Sequence, residues 1–181
     1  MKKLLFACMA LFLASFNTSA QEVNPEDVIV LKLKDGDVYI QTYPDVAPNH
    51  VARIKELVRQ GFYDGLKFHR VIDGFMAQTG DPRGNGTGGS GQNIKAEFNN
   101  KHHGRGTVSM ARAANPDSAD SQFFICFKDA GFLDGQYTVW GQVIKGMEFV
   151  DNIKRGDPND NGAVSNPDVI VSMKVLADMP K

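Results

Sequence analysis

Short strand-like runs recur along this chain, and only two segments, far apart in sequence, carry a helical period. Val28–Leu33 and residues 37–41 alternate in strand fashion around Lys34-Asp35-Gly36, which predicts a hairpin. Further strands are expected at 68–72, 75–78, 107–111, 122–127, 138–144 and 169–176. One helix has Pro48 in its first turn, gathers Ala47, Val51, Ile54, Leu57 and Val58 on one face, and stops at Gly61. A second, at 147–154, sets Met147, Val150 and Ile153 on one side. A doubly wound α/β sheet needs regular strand–helix alternation and does not fit this spacing. A closed antiparallel barrel capped by the two helices does: it removes exposed edges and uses both apolar helix faces.

Residues 1–20 stand apart. Lys2 and Lys3 precede a nearly unbroken apolar run from Leu4 to Phe16, and Thr18-Ser19-Ala20 supplies small residues, the layout of a secretory signal peptide. That run falls short of the roughly 20 residues a membrane span needs, so cleavage after Ala20 and export are expected, with no membrane anchor afterwards. Residues 21–181 then read as one domain. Losing two lysines takes the 20 basic side chains to 18 against 21 acidic ones, a net charge of −3, which disfavours nucleic acid as a partner. Cys8 leaves with the signal, so no internal disulfide can form. Cys126, inside Phe123-Phe124-Ile125-Cys126-Phe127, reads as a core thiol.

Several motifs match a pattern without its context. Gly86-Thr87-Gly88-Gly89-Ser90-Gly91 fits G-x-G-x-x-G, yet no convincing helix follows to receive a pyrophosphate, so it reads as a loop. Residues 157–168 carry oxygen side chains at calcium-loop positions with Gly162 at the sixth. Pro158 and Pro167 stiffen that segment, Asp168 is shorter than the usual glutamate, and strand-like sequence follows, so a polar turn is the expectation. His102-His103 has no supporting ligand spacing, and no G-x-S-x-G elbow is present. No metal or cofactor is expected.

The segment from Tyr63 to Asp81 is the informative one. Phe68, Val71, Ile72, Phe75 and Met76 supply more apolar surface than one strand face needs, with Arg70 and Gln78 set among them. Residues two or four apart on a strand share a face, so Arg70 either borders a pocket or is a surface arginine at a hairpin. His69, its strand neighbour, faces the other way and reads as structural.

This stretch resembles the signature of the cyclophilins, peptidyl-prolyl isomerases. The resemblance continues through Gly86-Thr87-Gly88-Gly89, Val108-Ser109-Met110-Ala111, Ser121-Gln122-Phe123-Phe124-Ile125 and Leu133-Asp134-Gly135, covering nearly all of the chain beyond the signal. It implies a closed eight-stranded antiparallel barrel capped by two helices. The family's catalytic arginine falls on Arg70 and its proline pocket on Phe75, Met76, Phe124 and Leu133. Gln78, Ala111 and Gln122 fall along the substrate groove. Departures are Phe132 for a tryptophan of cyclosporin-sensitive members, Tyr137 for a groove histidine, Arg112 for an asparagine and Trp140 where phenylalanine is frequent. These resemble bacterial exported members and imply weak cyclosporin binding. The implied activity is cofactor-free rotation about X–Pro bonds of proline-containing polypeptides by a periplasmic monomer that assists folding. The competing expectation is a proline-peptide-binding chaperone or scaffold without essential turnover.

Overall fold

The computed structural model describes residues 23–180; the expected signal segment lies outside them. The hairpin forms as expected. β1 (Val28–Leu33) and β2 (Gly36–Thr42) pair antiparallel, with Ile29 opposite Ile40 and Leu31 opposite Val38. α1 (Pro48–Arg59) buries Val51, Ile54, Leu57 and Val58. Its end is set by Gly61 at φ +68°: the Gly61 N–H donates to the Val58 carbonyl and the Phe62 N–H to that of Leu57, both at 3.0 Å. The other strands are β3 (Arg70–Ile72), β4 (Met76–Thr79), β5 (Thr107–Met110), β6 (Phe123–Cys126), β7 (Val139–Lys145) and β8 (Ser172–Val175), with α2 (Met147–Asp151) between the last two.

All eight strands join one antiparallel sheet in the order β3-β4-β6-β5-β7-β2-β1-β8. The expected closed barrel is corrected here: no ladder joins β3 to β8, and the sheet is an open half-barrel. Irregular chain fills the gap, with one Lys67–Val169 bridge and backbone bonds from Phe68 N–H to Asp168 and from Ile170 N–H to Leu66, both at 2.9 Å. Asn166 sits at φ +52° and Pro167 has no N–H to give, and the regular strand begins at Ser172. The strands expected at 68–72 and 169–176 are shorter, at Arg70–Ile72 and Ser172–Val175. α1 lies against β8 and α2 against β2.

The main core is fully buried Ile29, Leu31, Ile40, Tyr63, Phe68, Phe123, Ile125 and Trp140. Phe123 meets Trp140 edge-on at 5.5 Å between centroids, a pairing worth about 0.5–1.5 kcal/mol beyond burial. Trp140 is therefore a core residue and has no part in the groove. Among the described residues, no helix is long and apolar enough to cross a membrane.

Candidate active site

Period-two alternation divides β6 between two apolar clusters. Phe123 and Ile125 enter the main core, whereas Phe124 and Cys126 point to the opposite face. Register carries that second face across the sheet: Arg70 stands opposite Gln78, Gln78 opposite Phe124, and Phe124 opposite Ser109. Met76 lies opposite both Ile72 and Cys126. A polar row and an apolar row thus run side by side. The segment Ala130–Leu133 closes over them, its Leu133 packed with Met76, Phe124 and Cys126.

Ten of the eleven expected site residues line one open hollow of about 280 Å3: Arg70, Phe75, Met76, Gln78, Ala111, Arg112, Phe124, Phe132, Leu133 and Tyr137. The eleventh, Gln122, lines an adjoining cavity of about 270 Å3 that shares Gln78, Ala111 and Arg112 with the first. Met76 and Phe124 are nearly inaccessible, while Phe132 is 67% exposed and stands over Phe75 at 5.4 Å between ring centroids. Phe132 is a lid at the rim.

Arg70 is half-buried, and loss of water draws its guanidinium below its ordinary value, against an opposing pull from Tyr137. Its Nη1 donates to Gln78 Oε1 at 3.2 Å, its Nε to the Asn161 carbonyl at 3.0 Å and its Nη2 to Asn161 Oδ1 at 2.9 Å. Guanidinium carries five N–H groups, so two are left for a ligand. Gln78 in turn donates to Gln122 at 2.9 Å, and Gln122 to the Gly86 and Gly88 carbonyls at 3.1 and 2.8 Å. That relay ends on the glycine-rich loop, which wraps two carboxylates. Asp81 accepts from Arg83, Asn85 and Gly86 N–H groups, and Asp120 from those of Ser90 and Gly91. A Cβ at Gly88 or Gly89 would collide with those carboxylates, which is why glycine stands there.

Arg112 borders the hollow without offering its charge freely. Its guanidinium lies over the Tyr137 ring at 4.6 Å and donates to the carbonyls of Gln136, Ala113 and Ala114. His102 and His103 brace the lid segment from behind. His102 reaches Asp129 at 2.5 Å and Asp134 at 2.6 Å, and His103 reaches Asp134 at 2.8 Å. Both bonds raise the His102 pKa, that to Asp134 more. Burial lowers that of His103. Ser109, His103 and Asp134 form a serine–histidine–aspartate chain, but Ser109 is fully buried and donates to the Thr138 carbonyl, so it braces the wall. Cys126 is buried beneath the hollow, its thiol pushed up to about 12 by burial.

His69 lines a further cavity of about 620 Å3 beside Arg70 and Asn161; burial lowers its pKa, and among the described residues neither ring nitrogen has a hydrogen-bond partner. In the calcium-like segment, Asp157 accepts from the Asn159 N–H, and Asp168 is held by Lys34 Nζ and the Lys154 N–H, each at 2.8 Å. Asn161, Asp81, Asp120 and Asp134 are the site residues the sequence reading missed. Asn161 lay in view, inside the motif set aside as a turn.

The family model described as cyclophilin type peptidyl-prolyl cis-trans isomerase/CLD matches residues 28–175. The "Probable peptidyl-prolyl cis-trans isomerase" of Brucella abortus (strain 2308) is 53% identical over 184 residues, covering 95% of this chain and 93% of its own. "Peptidyl-prolyl cis-trans isomerase B" of Bacillus subtilis (strain 168) is 48% identical over 128 residues, 69% of this chain and 89% of its own. Among solved structures, the cyclophilin AquaCyp293 from Hirschia baltica aligns with a TM-score of 0.78 at 29% identity, covering 87% of this chain and 77% of its own. A Cryptosporidium parvum cyclophilin type isomerase, solved in the presence of the dipeptide Ala-Pro, aligns at 0.75 and 27% identity over 82% of this chain and 98% of its own. With the family's model spanning all eight strands and relatives this similar over nearly the whole chain, the protein belongs to the cyclophilin-type peptidyl-prolyl cis-trans isomerases and is an isomerase enzyme.

Proposed function

We propose that this isomerase acts on proline-containing polypeptides folding outside the cytoplasm, using Arg70 to weaken the X–Pro amide while the apolar hollow holds the proline ring. The export reading rests on residues 1–20, whose layout is that of a cleaved signal, and it makes the periplasm the place of action. That the similar C. parvum isomerase was solved in the presence of the dipeptide Ala-Pro supports the substrate class. The observation that carries the mechanism is a half-buried guanidinium, clamped on three of its N–H groups, at the mouth of the aromatic hollow.

The barrier to be lowered is about 18–20 kcal/mol, because the prolyl nitrogen lone pair is delocalised into the carbonyl. With the ring seated against Phe75, Met76, Phe124 and Leu133, the preceding carbonyl remains free to swing. As the bond twists, the nitrogen regains its lone pair and accepts from one of the two free Arg70 N–H groups. The planar ground state offers no such acceptor, so this bond belongs to the transition state alone. A charge-assisted hydrogen bond is worth about 1.5–3 kcal/mol, or one to two decades in rate. Gln78, Ala111, Arg112 and Gln122 line the groove along which the rest of the peptide lies, and orientation of the amide there supplies more. No covalent bond forms or breaks, and the protein works as a monomer.

A cis-prolyl peptide assay on the mature chain, beside Arg70→Ala, tests this. Wild type is expected to accelerate isomerisation and the variant to lose most of it. No acceleration by wild type defeats the proposed activity on peptides and favours a binding module. Equal acceleration by both defeats the role given to Arg70.

A further inference from the structure

Resting on the role given to Arg70 above, we infer that Asn161 is a positioning residue for catalysis: its two oxygens aim the Arg70 guanidinium at the substrate amide. Two of the three hydrogen bonds that fix the guanidinium go to this one residue, through the backbone carbonyl to Nε and through Oδ1 to Nη2. Gln78 holds the remaining terminal nitrogen from the other side. With Nε spent, the two unused N–H groups are one on each terminal nitrogen, at the edge away from Nε. The clamp therefore decides which edge of the fork meets the ligand.

Asn161 can present both oxygens to one guanidinium because its backbone is left-handed, at φ +49° and ψ +30°. Asparagine tolerates that region better than most side chains. The turn is built to hold it there. Asp157 caps the short helical turn Pro158–Asp160 by accepting from the Asn159 N–H, and Asp157's carbonyl accepts from Gly162 at 2.8 Å. The segment then pairs with the free edge of β3: Val71 N–H donates to the Gly162 carbonyl at 2.8 Å, Gly156 N–H to that of Val71 at 2.9 Å and Val164 N–H to that of His69 at 3.1 Å. Arg70 itself bridges to Ala163. A Cβ at Gly162 would stand 2.5 Å from the Ile72 side chain and 3.1 Å from the Val71 carbonyl, so glycine lets the turn press onto the strand. The oxygen-rich segment that imitates a calcium loop thus serves a guanidinium cation.

Three mature proteins separate this role from simple support of the fold. Asn161→Gly keeps the left-handed backbone but removes Oδ1, so Nη2 loses its anchor and the guanidinium swings off the remaining carbonyl bond to Nε more often. Asn161→Asp keeps an oxygen at the same place. Turnover and KM are measured for each by exchange NMR on an Ala-Pro peptide, together with hydrogen exchange of the Arg70 Nε–H. Asn161→Gly is expected to lower kcat about 3- to 10-fold, with KM within about twofold and faster Nε–H exchange. Asn161→Asp is expected to stay within about threefold of wild-type kcat, with exchange still slow. A glycine variant that keeps wild-type kcat, or loses it with unchanged Nε–H exchange, overturns the inference. An inert wild type overturns instead the reading of Arg70 on which it rests, and slow Nε–H exchange in that protein would show that the clamp was not at fault.

Discussion

Arg70→Lys keeps the positive charge and removes the fork, so it separates donor geometry from electrostatics. The native guanidinium spends N–H groups on the Asn161 carbonyl, Asn161 Oδ1 and Gln78 Oε1, and two remain. A lysine ammonium has three hydrogens on a single nitrogen. It cannot satisfy acceptors on both flanks and still reach the prolyl nitrogen. The lost interaction is a charge-assisted hydrogen bond formed only in the twisted state, worth about 1.5–3 kcal/mol, which predicts a fall in kcat of roughly 10- to 150-fold. KM should change by less than about threefold, because the hollow that holds the ring is unaltered. Exchange NMR on a proline peptide gives both constants, and urea unfolding checks that stability moves by no more than about 1 kcal/mol, as for a half-exposed residue. A lysine variant within about threefold of wild-type kcat would refute the reasoning, since charge alone would then suffice.

Three further outcomes follow from the same geometry. Phe124→Ala, which empties a nearly inaccessible position, should cost about 3–5 kcal/mol in urea unfolding, whereas Phe132→Ala, at a 67% exposed rim position, should cost under about 1 kcal/mol yet raise KM severalfold. Comparable destabilisation by both would contradict the division into floor and lid. His102, raised by its carboxylates, contributes stability that is complete below its unfolded value near pH 6.5 and is lost as pH rises through its folded value. The melting-temperature advantage of wild type over His102→Gln should therefore shrink from pH 5.5 to pH 9; growth with pH would contradict it. Cys126, buried and pushed up to about 12, should resist a thiol reagent until the protein unfolds, and rapid labelling of native protein would argue for an opened wall beneath the hollow.

Legibility in the sequence followed the range of the interactions. The hairpin and α1 announce themselves because turn chemistry, Pro48 and Gly61 act within a few residues. The apolar hollow was legible through the resemblance, and strand alternation explains why Phe124 leaves the core that Phe123 enters. Periodicity could not decide Arg70, because its meaning depends on register: only pairing with Gln78, and of Gln78 with Phe124, puts it beside the hollow. Asn161 was opaque for a stronger version of that reason, since it meets Arg70 across 91 residues of chain. Barrel closure was misjudged because edge removal is a global argument, whereas between Leu66–Phe68 and Asp168–Ile170 the chain makes only a single bridge and two backbone bonds instead of a ladder.

The central claim is that Arg70 and the aromatic hollow act together on one amide. A crystal structure of the mature protein with an Ala-Pro peptide tests it most directly. The account predicts the proline ring against Phe124 and Leu133, with an Arg70 terminal nitrogen about 3–3.5 Å from the prolyl nitrogen. A ring bound elsewhere, or an Arg70 turned out of reach of the amide, would contradict it.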